Sequence, residues 1–597
     1  MKALFTFTIG PVKSFVNNGR KMKDLYSGSA ILSALTDHAL KEFENGGMKD
    51  FDLVFPKRPD PKEEKGQSED QKITSYPNRL VATVANFSDK KILETAAKKL
   101  EVKVRDKFET LCKEILGSNY NDGNGWAMKQ INSFLEVYWV FAPFEKAYGK
   151  TYGQLFQNLA AIKNLRPFNQ TDEPWSRKCG LHLEYNALFY KQEQAYLNVE
   201  CRYQLPKTPK FKFLLKDKET LSAIAFVKRF YEGSDPHIVS TRDMVFKKRL
   251  ELDYKGEDGW ETWYEKNVVP EDMTHRAGFT TNVIDAVFDR YPKSAASPQV
   301  ENNEENKEAI EAAKKIISKI NINKDFPDLK LKSYYAMLKF DGDNMGDVYS
   351  ELDAKEKHEE LSKKLCAFAG KARKIIETAG GICIYAGGED ILATLPLEEI
   401  WKKLKELHQA FLDMVKIEGQ PEITFSAGIV VAHLMEPLKD VMYRLDESES
   451  NAKKYLGDEK FSPKNAFSIK LMKRAGEYRD IRYSFNHQHN YKALNTFMDL
   501  IKQLEDEKHS KSFLTNMIKL VEQLPQDHEK CEKWQMIKAL IDASISRKSF
   551  EKAKSADVIK QVEVLYHASE SVRNFTNMLD MIRFLASNAI IHGGDSS

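Results

Sequence analysis

The chain has 597 residues, 42% hydrophobic and 30% charged, and its 91 lysines and arginines nearly cancel 88 aspartates and glutamates. That length suggests about three to five domains, and the near-neutral balance excludes a whole-chain basic field as the means of holding nucleic acid. There is no signal-peptide layout, no apolar run of the ~18 residues a bilayer span needs, and no CxxC pair among the 6 cysteines, so a cytoplasmic protein with reduced thiols and no membrane contact is expected.

Ala3–Ile9 (ALFTFTI) alternates as a strand, and Pro11 is placed to open a helix, where its missing N–H is not needed. Phe51–Phe55 and Leu80–Val84 read as strands and Leu93–Leu116 as a helix. Arg58–Ser75 lies between those strands and is too polar to bury itself, as is Ser294–Asn306 further on. After that second linker Tyr334–Phe340 reads as a strand, and Lys355–Thr378 as a helix with Leu361, Leu365, Phe368 and Ala369 on one face. Strands Gly381–Ala386 and Ile391–Leu395, helix Leu397–Lys416, strand Ile423–Ala432 and a helix over Leu438–Leu456 follow. The order β-α-β-β-α-β is ferredoxin-like, and the N-terminal part repeats its beginning. The expected fold is α+β: ferredoxin-like domains at 1–146 and 307–475, a mixed domain at 147–293, and a helical domain at 476–597.

Two motifs carry the chemistry: DGDNMGD (Asp341–Asp347) closing one strand, and GGED (Gly387–Asp390) between two others. In a βαββ unit those strand ends lie side by side, which brings Asp341, Asp343, Glu389 and Asp390 together. Converging carboxylates repel unless cations neutralise them, and hard oxygen ligands suit Mg²⁺ or Mn²⁺ with phosphate oxygens completing the shell. Gly342, Gly387 and Gly388 have no Cβ to hold a triphosphate off. A calcium loop is the alternative for DGDNMGD, but Leu352 stands where its closing glutamate belongs. In the first unit Ile9-Gly10-Pro11 occupies the place of Asp341-Gly342-Asp343, so that copy has no carboxylates.

With these motifs, and with FTIGPVKSFVNNGRKMKDLYSGSAILS, SYPNRLVA, FSAGIVVAH and KNAFSIKLMKRAGE, the chain resembles the large palm subunit of type III CRISPR effector complexes, in the Cmr branch. The resemblance implies two palm domains, the first inactive, and a nucleotidyltransferase that makes oligoadenylate messengers from ATP when its complex binds target RNA. It implies partner Cmr subunits, CRISPR RNA and target RNA, and it places GGED at the family's GGDD hairpin with Glu389 for an aspartate. Transfer of AMP to S-adenosylmethionine is the alternative reaction, and a silent ATP-binding scaffold the alternative role. The family's HD nuclease is not expected, since the chain has no His-Asp dipeptide. Its four-cysteine zinc site is not expected either, since only Cys179 and Cys201, with His182, lie between the palms. Lys453 and Lys454 are candidates for a triphosphate, and Ser29 and Ser426 for adenine. His487 and His489 read as loop histidines, and the basic run from Lys247 as an RNA or partner contact or a charged surface.

Overall fold

The computed structural model describes residues 2–45, 51–57, 76–85, 89–120, 125–144, 148–165, 173–192, 195–197, 202–203, 205, 215–216, 218–231, 233, 240–254, 256–257, 259–268, 283–284, 286–287, 304–322, 333–457, 463–474, 476–505, 511–522, 534–539 and 552–588. The polar segment Arg58–Ser75 lies outside them, as does Ser294–Asn306 up to the helix that begins at Glu304.

Two sheets organise the chain. The first has order β2-β3-β1-β4 and is antiparallel throughout: β1 (Lys2–Gly10), β2 (Phe51–Phe55), β3 (Arg79–Val84) and β4 (Glu136–Phe144). Helices α1 (Lys13–Asn17), α2 (Met22–Asn45) and α3 (Lys90–Leu116) complete the ferredoxin-like connectivity. The strand at Glu136–Phe144 is absent from the sequence expectation. Its apolar residues fall on both faces, as suits a strand covered on both sides, and leave no alternation to read.

Pro11 does not open a long helix. The chain makes the short α1, turns, and starts again at Met22. The turn is held from a distant helix, α6 (Ala223–Phe230), every residue of which is buried. Lys228 donates to Asn18 O (2.9 Å) and Phe15 O at the end of α1. Arg229 grips Asp24 and, at 2.8 and 3.0 Å, Glu219, while Asp24 accepts the backbone N–H of Arg20 and Lys21 at 2.8 and 2.9 Å. Cys179 and His182 belong to this core: Cys179 Sγ accepts the His182 N–H at 3.4 Å, and the His182 ring lies 6.1 Å from both Phe15 and Phe134. Cys201 lies outside the described residues.

The second sheet has six strands, order β10-β9-β8-β5-β7-β6. The ferredoxin-like unit is β5 (Tyr334–Gly342), β6 (Ile382–Ala386), β7 (Ile391–Pro396) and β8 (Phe425–His433), with α10 (Met345–Glu351), α11 (Lys355–Thr378) and α12 (Ile400–Met414) in the connections. Past it, α13 (Leu438–Lys453) leads to β9 (Ala466–Met472), parallel to β8, and β10 (Tyr478–Ser484). The helical reading from Gly476 onward is corrected here: Tyr478–Ser484 extends the sheet, and the following helix begins only at Lys492. The outer edge of β10 is met by α17 (Val572–Asn588). Asn574 exchanges a pair of hydrogen bonds with the Arg482 backbone, both 2.9 Å, and Asn577 donates to Asp480 O at 2.9 Å, so side-chain amides stand where a seventh strand would pair.

The two sheets share their cores. Leu4, Val81, Val140 and Ala142 of the first pack into the cluster that holds Leu338, Phe340 and the C-terminal helices. Tyr335, Met337, Leu392 and Val430 of the second pack into the cluster of α2, α3 and α6. Helix α5 (Tyr148–Asn164) crosses from β4 to α10 and α11, where Tyr148, Tyr152 and Tyr349 surround the buried His358 ring at 5.1, 4.1 and 5.7 Å. The basic run from Lys247 is a structural contact rather than an RNA-facing or solvated surface: on α7 (Thr241–Asp253), Arg249 is fully buried against Glu398, Lys248 reaches Glu399 at 2.8 Å, and Lys247 pairs with Asp243 at 3.2 Å.

Candidate active site

β5 sits between β7 and β8, with Phe340 paired to Ile391 on one side and Ala427 on the other. That register sets Asp341 beside the hairpin residue Asp390 and opposite Ser426. The hairpin closes through Gly387 N–H to Asp390 O at 3.0 Å, with Gly388 at φ +103°, a conformation L side chains avoid. After Gly342 the chain turns through Asn344 at φ +53°, left-handed backbone that asparagine tolerates, and enters α10.

The structure brings Asp341, Glu389 and Asp390 to one place and turns Asp343 away. Asp343 is 5% exposed, and its carboxylate accepts from Thr424 Oγ1 (2.7 Å), Ser426 Oγ (2.7 Å) and Asn465 N (3.0 Å). It is a structural anchor for the DGD turn, and its oxygens are already committed. Burial raises its pKa against those hydrogen bonds. Ser426 is fully buried and donates to Asp343, so its hydroxyl is not offered to adenine. Ser29 is buried on α2 of the first sheet's unit.

Burial raises Asp390 and Glu389 too, but unlike Asp343 each has a carboxylate oxygen without a hydrogen-bond partner. Burial, then Asp341 and Glu389, push the Asp390 carboxyl up to about 7. Burial raises Glu389 as well, opposed by Arg79. Asp390 Oδ1 and Glu389 Oε2 are buried with no hydrogen-bond partner. Two unpartnered carboxylate oxygens in the field of a third carboxylate are hard-oxygen donors, the kind that Mg²⁺ or Mn²⁺ takes. By donor chemistry Asp341, Glu389 and Asp390 are the residues that would hold divalent cations, although among the described residues no three acidic, histidine or cysteine side chains stand arranged as a metal-binding group.

Lys453 completes the cluster. Its Nζ contacts Asp341 and lies 3.0 Å from Glu449; burial works against its charge, but the two carboxylates raise its pKa. Lys339 joins the network through Glu449 (3.0 Å) and Asp446 (2.8 Å), and Lys13 of the first sheet reaches Asp446 at 2.8 Å. Lys454 lines the neighbouring groove with Arg482 and Arg573. A packing detail sets these positions: a Cβ at Gly428 would stand 2.3 Å from Glu449 N, so helix α13 lies directly on the strand. Gly342 likewise makes room for protein, since a Cβ there would meet Met345 at 2.6 Å and Glu389 Cβ at 3.1 Å. Gly387 lies under the Tyr385 hydroxyl, and Gly388 is buried with its Cβ position 3.5 Å from Leu365 Cβ.

Sequence reasoning misses Lys339, Glu449 and Arg79, the last of which stands within SYPNRLVA and lies in the field of Glu389. His487 is partly buried, bonded to Asn465 at 3.3 Å and paired with Glu422 at 3.0 Å, so it supports the loop that holds Asp343. A cavity of about 960 Å³ opens at the end of β1, lined by Gly10, Pro11, Asn78, Tyr138, Lys163 and Lys439. It occupies in the first sheet the place the carboxylates occupy in the second.

Residues 334–462 match the second palm domain of Cas10/Cmr2, and residues 4–113 match the N-terminal region of the CRISPR-associated protein Cmr2. A Cmr2 subunit from Pyrococcus furiosus is 30% identical over 174 residues, 24% of this chain, and the match spans only 19% of that protein's length. A cryo-EM structure of a type III-B Cmr-beta complex bound to cognate target RNA contains a chain similar to this one over 98% of its length and 83% of the other's, with TM-score 0.61 and 14% identity. The apo state of that complex gives TM-score 0.59 at 14% identity over 98% and 82% of the two chains. At such identity the two structures establish the shared fold.

Proposed function

We propose, from the premise that this chain belongs to the Cas10/Cmr2 family, that its second palm joins ATP molecules into an oligoadenylate-type messenger. The observation that carries the reading is the pair of unpartnered carboxylate oxygens on Glu389 and Asp390 beside Asp341. Divalent cations bound there would supply an acidified 3′-hydroxyl and neutralise charge on the phosphates. The chain's own residues position the reactants. Lys453 has two carboxylate partners, Asp341 and Glu449, and can turn to a triphosphate while keeping the second. Asp343 fixes the turn on which Asp341 stands. The cavity at Gly10 and Pro11 has room for a second nucleotide, whose 3′-hydroxyl would give up its proton and attack the α-phosphate of the first, forming a phosphodiester as the α–β P–O bond breaks and pyrophosphate leaves. Glu389 keeps the charge of an aspartate at that place and sets its carboxylate one methylene further out.

The chain would work in the cytoplasm, in a Cmr-type complex with partner subunits, CRISPR RNA and target RNA. Described helices include none long and apolar enough to cross a membrane. The test is mass spectrometry of products from ATP and Mg²⁺, made by the RNA-activated complex with and without S-adenosylmethionine, beside an Asp341→Ala/Asp390→Ala control. Adenylate oligomers lost in the control are expected. An adenylated methionine conjugate would change the acceptor, and ATP binding without any product would leave a scaffold.

A further inference from the structure

At the carboxylates, three polar groups on three different elements make no hydrogen bond to the described residues. The Arg79 guanidinium, from β3 of the first sheet, lies 5.3 Å from the Phe55 ring centroid and 4.9 Å from that of Phe156, and makes no hydrogen bond or ion pair among the described residues. The Tyr349 hydroxyl on α10 and Glu389 Oε2 on the hairpin are buried without a hydrogen-bond partner. Rings link the first two: Phe156 to Tyr152 at 4.8 Å, and Tyr152 stacked on Tyr349 at 5.9 Å. Arg79 and Glu389 stand in each other's field.

Leaving a buried hydroxyl and a buried carboxylate oxygen unpaired is costly, and the half-buried guanidinium beside them keeps its donors open to whatever occupies the space. The two aromatic faces orient the guanidinium plane but accept none of its five N–H bonds. A planar fork with its donors free matches phosphate or carboxylate oxygens bidentately, and phosphate is the anion that a metal-bound nucleotide brings to this place. A purely structural arginine at a sheet face would instead be expected to find a carbonyl or carboxylate.

We infer that Arg79 binds a phosphate of the nucleotide held at the second palm, with the Tyr349 hydroxyl as a second donor, so that the first palm supplies part of the second palm's site. This rests on the reading that Asp341, Glu389 and Asp390 hold a metal-bound nucleotide. The site is then complete only while the two sheets are docked.

The test is calorimetric titration of the full chain with ATP, pyrophosphate and adenosine, each with Mg²⁺, beside thermal unfolding. Arg79→Gln should weaken ATP and pyrophosphate about 10- to 100-fold, the scale of a lost charge-assisted hydrogen bond, and leave adenosine unchanged. Arg79→Lys, which keeps the charge and loses the fork, should fall between. Tyr349→Phe removes only an unpaired hydroxyl, so its melting temperature should hold while ATP weakens about 3- to 10-fold. Affinities within about twofold of wild type in folded variants would overturn the inference and leave the proposed function standing. Wild-type protein that binds neither ATP nor pyrophosphate would overturn both. Arg79-dependent binding in a complex that makes no product would support the inference and remove the function.

Discussion

Replacing Asp390 by asparagine isolates the cost of holding an unpaired carboxylate against two others. Its carboxyl rises from the ordinary 3.8 to about 7, through burial first and then Asp341 and Glu389. Each pH unit corresponds to about 1.4 kcal/mol, so a fully buried group would cost the metal-free fold about 4 kcal/mol. Asp390 is half-buried, and water in the site reduces this to about 2 kcal/mol. The sign follows from the direction: a group that holds its proton more tightly when folded destabilises the fold as pH climbs from about 4 to about 7. Above that the penalty is constant. In EDTA at pH 8, Asp390→Asn should therefore melt above wild type, by about 4–8 °C if the second palm unfolds as a unit of ~150 residues. The gap should close as pH falls toward 4. Adding Mg²⁺ should raise the wild type more than the variant. A variant that melts with or below wild type at pH 8, with no dependence on pH, would refute the account of Asp390 as an uncompensated charge.

Mg²⁺ or Mn²⁺ affinity of the wild type should itself rise as pH climbs to about 7, because binding must displace the Asp390 proton; flat affinity from pH 6 to 8, read by calorimetry, would count against Asp390 as a ligand. Ser426→Ala takes one of three hydrogen bonds from buried Asp343 and should cost about 1–3 kcal/mol in denaturant unfolding, with metal affinity retained. Arg229→Met leaves Asp24 and Glu219 facing each other in the core, a loss of about 3–5 kcal/mol visible as a lower melting temperature. Gly428→Ala forces helix α13 off the strand, so it should lower the proposed ATP turnover, read by product mass spectrometry, through Lys453 while Asp341, Glu389 and Asp390 stay in place.

The second palm was readable because its strands carry uninterrupted apolar runs, its helices keep a clear stripe, and its hairpin glycines mark the turn. Lys355–Thr378 ends where the pattern ends. β10 was not readable: YRDIRYS alternates arginine and aspartate with Ile481 and Tyr483, the pattern of a strand with one wet face, and its neighbours suggested helix. Within the site, Asp341, Glu389 and Asp390 follow from strand order alone. The fate of Asp343 does not, because it depends on a backbone turn that aims the side chain at Thr424 and Asn465. Arg79, Lys339 and Glu449 were hidden for another reason. Each acts on residues distant in the chain, and a lone basic or acidic residue in a strand or helix looks the same whether it faces water or a metal site.

The amides of Asn574 and Asn577 on the outermost strand bear on how this protein can be cut. A fragment stopped after Ser484 would keep every carboxylate, yet it would present a bare row of backbone donors and acceptors at β10. Such a rim recruits other rims, so the fragment should self-associate through it. The C-terminal helices thus serve as the cover that keeps the sheet single, and a usable fragment of the second sheet has to carry Val572–Asn588 with it.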